Sequence, residues 1–599
     1  MRTLLTTVFI LTFFVSFSQN YQWDCAERGG TSTDVIIATA SRDHDHEHIL
    51  DIAVDVNNNY YYLALSMYAN ESIGTQSYTS YGTNRTQDLV LFSTDCTGNF
   101  RWSKTFGGGM DVYGGGLETD ALGGVYVSGI VQGRNDPNQP SMQFDTDFSY
   151  DPNATISTNG SHNKSLFIIK YDISGSFQWL ELPQMDNLDF GVDAFSFNWG
   201  LVVEDDGTIT VQTLFAPGTH FNGNIVVPSP YKGLVIRMNK DGNYLNHFAF
   251  DVGGEITFDR NVTYHYDPLN GQHYFGLHRR IGGGNVVSFN NVQQTGFALI
   301  VALDATGTEL WRYNDSDSTG NIKDITTDDQ SNVYLSGAIN NGVNVGVANF
   351  AGHVFDQETS PTNSGGSISS YVIKLNSNGA YQWGTNATYS TGTISTGYAV
   401  VVNGNEVAMG TSMVNANTWD GVTFTRPFGS AQDPVVVRID KNTGTVIAIE
   451  DVEGPYGFND EVTALAVDNF GNYVVGGYVT SSLFANDPNV STITNSGGDS
   501  DFWFARLAKT DCNGVPLSNQ DVQKSRTSIY PNPASDLVQI KSDQEFDSFA
   551  IYNVSGQQIL SKQLNSEQRI DVSTLTKGMY FLKLNSNGQE IETLKLAKE

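Results

Sequence analysis

The densest group of ligand-type side chains lies near the amino end, where residues 42–48 read RDHDHEH. Side chains alternate between the two faces of an extended strand, so the three histidines would share one face and the acidic residues the other. Three imidazoles on one face could coordinate a transition metal or another divalent cation. The candidate ligands are His44, His46, His48, Asp43 and Asp45. Ligands so close together on one strand seldom surround an ion, so a solvated polar loop is the favoured interpretation and a metal site the alternative.

Motifs for other chemistry are absent from the sequence. The chain contains no Gly-x-Ser-x-Gly nucleophile elbow, no His-Glu-x-x-His zinc helix, no phosphate-binding P-loop and no dinucleotide fingerprint. With 64 Asp and Glu residues, a pair of carboxylates selected after the fact indicates nothing. The residues therefore favour a binding protein, with a hydrolase or lyase acting on polysaccharide or peptide as the alternative.

The composition predicts an all-β protein. Sixty glycines, 12% aromatic residues and only 16% charged residues are typical of many tight turns and half-buried strands. The formal net charge of −32 argues against nucleic acid and anionic lipid as partners, because both require a basic surface. The charge is compatible with divalent cations and with cationic surfaces.

A repeating unit occupies most of the chain. Its first half is a hydrophobic run that leads to a polar turn and a strand, at residues 52–63, 117–129, 202–207, 266–276, 325–337, 400–405 and 466–477. Its second half is a strand, a Gly turn and a strand that often carries Trp, at residues 89–102, 167–179, 235–242, 299–311, 371–383, 435–444 and 502–514. Units of about sixty residues with four strands have the size of a propeller blade, so seven units predict a seven-bladed β-propeller.

The seventh unit lacks the Trp-bearing outer strand, because the chain runs into a polar linker after Gly514. The amino end offers a substitute, since residues 21–23 (YQW) resemble residues 177–179 (FQW). A strand donated from the amino end would pair an edge that otherwise stays exposed. We therefore expect a closed ring over residues 19–516 rather than an open solenoid, which would need a polar cap at each end.

Four tryptophans occupy one fixed position in the repeat: Trp102, Trp179, Trp311 and Trp383. A set of exposed indoles could stack on a carbohydrate. Their fixed place in the unit instead predicts packing between neighbouring blades.

Acidic residues precede the first strands of several units: Asp111, Asp189, Asp193, Asp315, Asp317, Asp460 and Glu461. If first strands line the axis, these carboxylates converge on one mouth of a central channel. They would either bind a hard cation such as calcium or be separated by water. No Asp-x-Asp-x-Asp-Gly calcium loop is present, which favours water.

The chain has three cysteines, so at least one thiol is unpaired in the monomer. Cys96 and Cys512 occupy the same Asp-Cys-x-Gly turn of the first and last units, which a closed ring makes neighbours. Cys25 lies in the donated strand. A Cys25–Cys512 bond would lock the seam, although hairpin register places Cys25 several residues from that turn, and the pairing stays open.

The repeats resemble the bacterial β-propeller repeat family, whose signature is Asp-x-x-Gly-Asn-x-Tyr-x-x-Gly. The copies that begin at Val202 and Val400 depart from this signature. The resemblance implies the same fold as the repeat count.

The first residues are typical of a secretory signal peptide over residues 1–18. Arg2 supplies the positive start, an apolar run extends from Leu4 to Val15, and Ser16 and Ser18 are small residues before the expected cleavage point. This run is too short to span a bilayer, which takes about twenty apolar residues, so we expect no transmembrane segment.

A polar linker at residues 517–526 leads to a separate module over residues 527–599. Short strand patterns with turn residues between them predict a small Ig-like β-sandwich of about seven strands. Its motifs are residues 529–536 (IYPNPASD), 551–556 (IYNVSG), 575–583 (LTKGMYFLK) and 594–596 (LKL).

In order and spacing these motifs resemble the C-terminal sorting domain of the type IX secretion system of Bacteroidetes. The resemblance assigns the sorting signal to Tyr530, Pro531, Asn532, Pro533, Tyr552, Gly556, Gly578, Tyr580 and Lys595. It implies Sec export to the periplasm, recognition by the outer-membrane translocon and sortase, and release or attachment at the cell surface. An adhesive sandwich without a sorting role is the alternative. The leading interpretation of the whole chain is a binding or adhesion scaffold for a glycan or protein ligand.

Overall fold

The computed structural model describes residues 21–31, 47–67, 71–82, 86–132, 140–150, 164–182, 197–215, 218–228, 232–253, 262–278, 288–294, 296, 298–314, 320–340, 348–355, 368–389, 397–414, 416–425, 432–455, 459–517, 528–542, 546–553, 556–564, 568–586 and 589–599. The chain divides into two compact units, Tyr21–Val515 and a second that contains Pro516–Glu599. Every regular element in the described residues is a β-strand, so no helix that could cross a membrane occurs among them.

The first unit contains 44 strands, numbered in chain order. They are β1 (Gln22–Thr31), β2 (His48–Val54), β3 (Tyr60–Met67), β4 (Glu71–Ile73), β5 (Gln76–Ser77), β6 (Gln87–Thr94), β7 (Phe100–Gly107), β8 (Val112–Thr119), β9 (Gly124–Gln132), β10 (Met142–Phe144), β11 (Phe148–Tyr150), β12 (Lys164–Asp172), β13 (Phe177–Glu181), β14 (Phe197–Val203), β15 (Ile209–Phe215), β16 (Gly218–His220), β17 (Ile225–Val227), β18 (Lys232–Met238), β19 (Tyr244–Phe250), β20 (Val252–Gly253), β21 (Val262–Asp267), β22 (Gln272–His278), β23 (Ser288–Phe289), β24 (Val292–Gln293), β25 (Ala298–Leu303), β26 (Glu309–Asn314), β27 (Gly320–Thr327), β28 (Val333–Asn340), β29 (Asn349–Phe350), β30 (His353–Val354), β31 (Ile368–Leu375), β32 (Tyr381–Asn386), β33 (Thr388–Tyr389), β34 (Ala399–Asn403), β35 (Glu406–Met413), β36 (Ala416–Trp419), β37 (Val422–Thr425), β38 (Asp433–Asp440), β39 (Val446–Asp451), β40 (Glu461–Val467), β41 (Tyr473–Val479), β42 (Ser482–Leu483), β43 (Ile493–Thr494) and β44 (Asp501–Ala508).

Seven main antiparallel sheets, as far as the structure describes this unit, follow one another along the chain. Their four main strands pair in the orders β2-β3-β6-β7 (sheet 1), β8-β9-β12-β13 (sheet 2), β14-β15-β18-β19 (sheet 3), β21-β22-β25-β26 (sheet 4), β27-β28-β31-β32 (sheet 5), β34-β35-β38-β39 (sheet 6) and β40-β41-β44-β1 (sheet 7). Six sheets use consecutive segments of the repeat, and sheet 7 takes its outer strand from the amino end.

The turn between the first two strands of a sheet explains the Asp and Tyr of the repeat signature. In sheet 2, Asp120 Oδ1 accepts the backbone N–H groups of Leu122 and Gly124, and Asp120 Oδ2 accepts the Tyr126 hydroxyl at 2.6 Å. One buried carboxylate thereby satisfies turn donors and holds a side chain of the second strand. The Asp55–Tyr61 and Asp328–Tyr334 pairs repeat this arrangement.

Each neighbouring pair of sheets encloses a hydrophobic cluster. Sheets 1 and 2, 2 and 3, 3 and 4, 4 and 5, 5 and 6, and 6 and 7 share one cluster each. Another joins sheet 7 to sheet 1, where Phe502 and Phe504 pack against Phe92. The Tyr60 hydroxyl of sheet 1 also donates to Asp468 Oδ2 of sheet 7 at 2.9 Å. The last sheet therefore packs on the first as each other sheet packs on its successor.

The β1 strand is paired on both sides. On one side it runs antiparallel to β44, from Gln22 opposite Ala508 to Gly29 opposite Phe502. On the other side its last residues pair with β4, where Gly30 lies opposite Ser72. Backbone groups at this end of β1 therefore have ladder partners in both β44 and β4, and the edge that the sequence analysis identified is covered.

The register of β1 corrects the comparison of Trp23 with Trp179. Trp23 lies opposite Leu507, whereas Trp179 lies one pair further along its strand from the turn. Both outer strands carry a bulge at the same place, so Trp23 corresponds to Phe177 and the two segments are offset by two residues. The Trp23 ring packs edge-on against Phe484, the residue after β42, at 5.5 Å.

Cys25 occupies the place that Trp102 holds in sheet 1. A Cβ atom on Gly175 of sheet 2 would lie 2.7 Å from the Trp102 ring. A Cβ atom on Gly98 of sheet 1 would lie 3.6 Å from Cys25 Sγ. The outer-strand side chain therefore contacts the glycine turn of the next sheet in both cases. Between sheets 7 and 1 this side chain is the Cys25 thiol.

The disulfide joins Cys96 to Cys512, with a Cα–Cα distance of 5.9 Å, and Cys25 is a free thiol. The Cys25–Cys512 bond that the sequence analysis left open is therefore not formed. The register places Cys25 opposite Arg506, away from the Cys512 turn. Burial raises the pKa of the Cys25 thiol to about 12, which keeps it protonated. The bond links the turn after β6 in sheet 1 to the turn after β44 in sheet 7.

A short hairpin separates the second and third main strands of every sheet. The hairpins are β4–β5 (hairpin 1), β10–β11 (hairpin 2), β16–β17 (hairpin 3), β23–β24 (hairpin 4), β29–β30 (hairpin 5), β36–β37 (hairpin 6) and β42–β43 (hairpin 7). Each buries at least one large apolar residue, among them Ile73, Phe144, Phe221, Phe289, Phe350, Trp419 and Phe484. Turns with positive φ, such as Asn290-Asn291 and Asp420-Gly421, are the tight turns that suit a two-residue hairpin.

Four of these hairpins extend the outer strand of the preceding sheet. Hairpin 1 pairs with β1, hairpin 2 with β7, hairpin 4 with β20 and hairpin 6 with β33. The hairpins thus form a second set of contacts between neighbouring sheets, outside the main strands.

The second unit consists of two antiparallel sheets. Its strands are β45 (Ser528–Tyr530), β46 (Leu537–Lys541), β47 (Ser548–Asn553), β48 (Gln558–Gln563), β49 (Arg569–Asp571), β50 (Gly578–Ser586) and β51 (Gln589–Lys598). They pair in the orders β45-β46-β49 and β48-β47-β50-β51. Buried residues of both sheets, among them Val538, Ile551 and Leu582, form one core.

Candidate functional site

Most of the predicted metal cluster lies outside the described residues, namely Asp43, His44, Asp45 and His46. His48 is the first residue of β2. Glu47 is fully buried, and its Oε2 accepts the Thr31 N–H at 2.8 Å while its Oε1 accepts the Ser66 hydroxyl at 3.2 Å. Glu47 therefore fixes the end of β1. In the part of the chain that the structure describes, no three His, Cys, Asp or Glu side chains are placed to hold a metal ion.

The acidic residues predicted before the first strands are in part described. Asp111 Oδ1 accepts the Gln87 N–H at 3.0 Å, and Asp460 Oδ1 accepts the Thr480 N–H at 2.6 Å. Burial, together with the negative charges of Asp433 and Glu461, raises the pKa of Asp460 to about 7. These carboxylates thus act as acceptors for backbone groups. Asp189, Asp193, Asp315 and Asp317 lie outside the described residues.

Two carboxylates that the sequence analysis missed join neighbouring sheets through their first strands. Asp51 Oδ2 in sheet 1 accepts the Leu117 N–H of sheet 2 at 2.8 Å, and Asp324 Oδ2 in sheet 5 accepts the Val400 N–H of sheet 6 at 2.8 Å. Burial raises the pKa of Asp51 to about 6 and that of Asp324 to about 7. Burial also holds the pKa of Glu118 well above its usual range, and the Asp51 charge adds to this effect.

A signal for these two residues is present in the sequence. Each follows a β-bulge, between Ile49 and Asp51 in β2 and between Ile322 and Asp324 in β27. In β2 the Asp stands between apolar residues, as Leu50-Asp51-Ile52 shows, whereas in β27 Lys323 precedes Asp324. The Asp in the apolar run of β2 is therefore the clearer of the two signals.

The prediction that the repeat tryptophans pack between sheets is confirmed. The indole N–H of Trp102 donates to Ile173 O at 3.1 Å, that of Trp311 to Ser377 O at 3.0 Å, and that of Trp383 to Lys441 O at 3.0 Å. In each case the acceptor lies in a turn of the following sheet. Trp179 donates to Lys240 O in the same way. Their indole edges are therefore committed to contacts within the fold.

A polar cavity of about 390 Å³ lies between the outer parts of sheets 5 and 6. Its wall on the sheet 5 side is made by hairpin 5, β32 and β33, and its other wall by hairpin 6 and the turn before β39. The side chains used below are His353, Thr385, Asn386, Thr388, Thr418 and Asp420. The cavity has the volume of a small-molecule site, which is typically about 300 to 1,000 Å³.

The floor of this cavity is buried and the rim is exposed. His353 and Thr385 are each 8% exposed and Asn386 is 5% exposed, whereas Asp420 is exposed at the hairpin 6 turn. His353 Nε2 lies 3.2 Å from Asn386 Oδ1, and His353 Nδ1 lies 3.3 Å from the Tyr381 hydroxyl. These contacts fix the imidazole before any ligand arrives. No motif in the sequence indicated the cavity, because its residues come from five separate elements.

In the second unit, Asn532 ties the proline-rich entry to the last strand. Asn532 Nδ2 donates to Lys595 O at 2.8 Å, and the Ala597 N–H donates to Asn532 Oδ1 at 2.8 Å. The peptide bonds before Pro531 and Pro533 are cis. The predicted sorting residues of this entry therefore lie beside β51.

The other predicted sorting residues occupy turns and strand faces of the same unit. Tyr530 is 54% exposed, and Gly578 and Lys595 are also exposed. The Tyr580 hydroxyl donates to Thr576 O at 2.8 Å, and the Tyr552 hydroxyl donates to Gln558 Oε1 at 2.9 Å. Gly556 has a φ of 80° in the turn between β47 and β48, a conformation that favours glycine.

The similarities to known proteins cover different shares of this chain. Beta-agarase A of Zobellia galactanivorans is 29% identical over 106 residues, which cover 16% of this chain and 20% of the agarase. The chain thus spans about a fifth of that relative's length. A quinohemoprotein alcohol dehydrogenase from Pseudomonas putida HK5 is 12% identical with a TM-score of 0.34, covering 86% of this chain and 79% of the dehydrogenase. A PL25 ulvan lyase is 10% identical with a TM-score of 0.33, covering 83% of this chain and 99% of the lyase.

The carboxyl-terminal segment matches a family. Residues 528–599 match the family described as the secretion system C-terminal sorting domain. This range coincides with the second sandwich-like unit and contains all the predicted sorting residues. The resemblance to a type IX sorting domain is thereby confirmed, and such a domain implies a secreted or cell-surface protein. Residues 528–599 of this chain are a C-terminal sorting domain.

Proposed function

We propose that the protein is a seven-bladed β-propeller that serves as a binding or adhesion scaffold and is exported by the type IX secretion system. The sorting domain at residues 528–599 carries the export part of this proposal. The proposed mature protein begins after a signal peptide of residues 1–18. Its propeller comprises residues 19–516, and a linker follows at residues 517–526. The translocon and sortase recognise the Ig-like sandwich of residues 527–599.

The cyclic order of sheet contacts supports the propeller. Seven clusters each join two neighbouring sheets, and one of them joins sheet 7 to sheet 1. The Cys96–Cys512 bond and the pairing of β1 with both β44 and β4 add a covalent and a backbone link at this seam. In an open solenoid the terminal sheets would instead need caps.

The hydrogen bonds that the described carboxylates accept favour a binding role over a catalytic role. The described carboxylates Asp51, Asp111, Asp324 and Asp460 each accept backbone N–H groups. Their roles are to connect strands and sheets, which is consistent with a rigid platform. A rigid platform positions loops and hairpins for recognition of a partner.

Export is tested by removing the sorting domain. A variant that lacks residues 527–599 should fold and accumulate in the periplasm, because the propeller is a compact unit of its own. The measurement is the distribution of the protein between periplasm, cell surface and medium. As a control, residues 517–599 fused to a periplasmic reporter should carry that reporter out of the cell. Unchanged secretion of the truncated chain would refute the export proposal.

A further inference from the structure

We propose that the cavity between sheets 5 and 6 binds a neutral saccharide unit of a glycan chain. This inference rests on the proposed function and gives it a site and a ligand class. The argument depends on the lining chemistry, on the rigidity of the floor and on the charge of the surroundings.

The lining is rich in groups that both donate and accept hydrogen bonds. Thr385, Thr388 and Thr418 contribute hydroxyls, and the turn before β39 adds those of Thr443 and Thr445. A hydroxyl offers one donor and two acceptor sites. Thr388 and Thr443 already donate within the protein, to Thr418 O and Asp440 Oδ1, so their hydroxyl oxygens retain acceptor sites for a ligand. A ligand with many hydroxyls can donate to these sites, whereas an apolar ligand cannot.

The charged groups of the cavity select against anions. Asp420 is the carboxylate of the lining, and neither Lys nor Arg occurs among the lining residues. A phosphate, a sulfate ester or a uronate would meet the Asp420 charge without a compensating cation. The formal net charge of −32 repels such ligands at longer range as well. A hydroxyl of a neutral sugar, in contrast, can donate to the Asp420 carboxylate.

The floor is organised before binding. His353 is held between Asn386 and Tyr381, and a Cβ on Gly384 would lie 2.6 Å from the His353 ring. The Thr388 hydroxyl donates to Thr418 O at 3.0 Å and connects the two walls of the cavity. A fixed floor lowers the entropy cost of capturing a flexible saccharide.

Two matched variants test the site. Asp420 and Asn222 each lie in a hairpin turn with a positive φ, of 48° and 54°. Replacing either residue with Ala introduces a similar backbone strain, but only Asp420→Ala changes the cavity. The full-length secreted protein and both variants are probed with an array of neutral, uronate-containing and sulfated oligosaccharides. Dissociation constants for the bound members are then measured by calorimetry.

The proposal expects binding of neutral oligosaccharides in preference to sulfated or uronate-containing ones. Asp420→Ala should weaken this binding about tenfold or more, the loss expected for one hydrogen bond to a charged group, and Asn222→Ala should not. Absence of neutral saccharide binding, preference for the anionic members, or equal affinity of the Asp420→Ala variant and the parent would overturn the site. Secretion of the parent chain in the same preparation tests the export proposal independently of saccharide binding.

Discussion

Loss of the Cys96–Cys512 bond should destabilise the unit Tyr21–Val515 by an amount that depends on the loop it closes. The two cysteines are 416 residues apart in sequence, and the chain-entropy model gives about 6 kcal/mol for a loop of that length. Native disulfides usually contribute about 2 to 5 kcal/mol, so we take the model value as the upper bound. Unfolding roughly 500 residues carries about 1 kcal/mol of entropy per kelvin. The Cys96→Ser/Cys512→Ser variant should therefore melt about 2 to 6 °C below the parent.

Calorimetry of three proteins checks this expectation. The parent and a Cys25→Ala variant should both lose stability when a reductant is added, because both retain the Cys96–Cys512 bond. The double variant should already melt at the reduced temperature and should not respond to the reductant. Alkylation under denaturing conditions should label Cys25 alone in the oxidised parent. A double variant that melts with the parent, or a parent in which Cys25 resists alkylation, would refute the reasoning.

Two further predictions concern contacts between sheets. Trp311→Ala should destabilise the propeller by about 3 to 5 kcal/mol, because the indole packs on the turn of sheet 5 and donates to Ser377 O. Denaturant titration measures this change. The control is the neighbouring Leu310→Ala, which should change the stability little because the Leu310 side chain is 46% exposed. The stability of the parent should fall as pH rises from about 4 to about 7, because burial raises the pKa of Asp324 to about 7. Over that range the folded state holds a proton that the unfolded state has lost. In Asp324→Asn the difference in melting temperature between pH 5 and pH 8 should shrink, and an unchanged difference would assign the pH dependence to other groups.

The repeat itself could be recognised from the sequence because its turns are chemically specific. Asp120 and Tyr126 are six residues apart, and the same spacing returns at Asp328 and Tyr334. The spacing is fixed because one carboxylate must reach both the turn N–H groups and the next strand's hydroxyl. A sequence pattern of this kind identifies a local structure without reference to the rest of the fold.

The hairpins between the second and third main strands were not recognised. Each is only two to four residues per strand, and its apolar anchor varies from Ile73 to Trp419. The turn residues with positive φ are Asn, Asp, Ala, Phe or Gly, so no single motif repeats. Alternation over so few positions is too short to distinguish a hairpin from a polar loop. The candidate cavity was missed for the same reason, because two of these hairpins form its walls.

The register of β1 in sheet 7 could not be predicted from sequence alignment alone. The YQW and FQW segments align by residue type, yet the strand register puts Trp23 in the place of Phe177 and gives the Trp102 place to Cys25. This two-residue offset accompanies tertiary contacts such as that of Trp23 with Phe484, which residue types alone do not reveal. The cysteine pairing was left open because it depends on the same register.

The most direct test of the circular arrangement cuts the chain between β1 and β2. A specific protease site is introduced within residues 32–46, which lie outside the described residues, and the folded secreted protein is cleaved there. No disulfide connects the released segment to the rest, because Cys25 is a free thiol. If β1 is the outer strand of sheet 7, the cleaved segment should stay with the propeller in native mass spectrometry and leave it only in denaturant. Release of the segment under native conditions would contradict the closed seven-bladed ring.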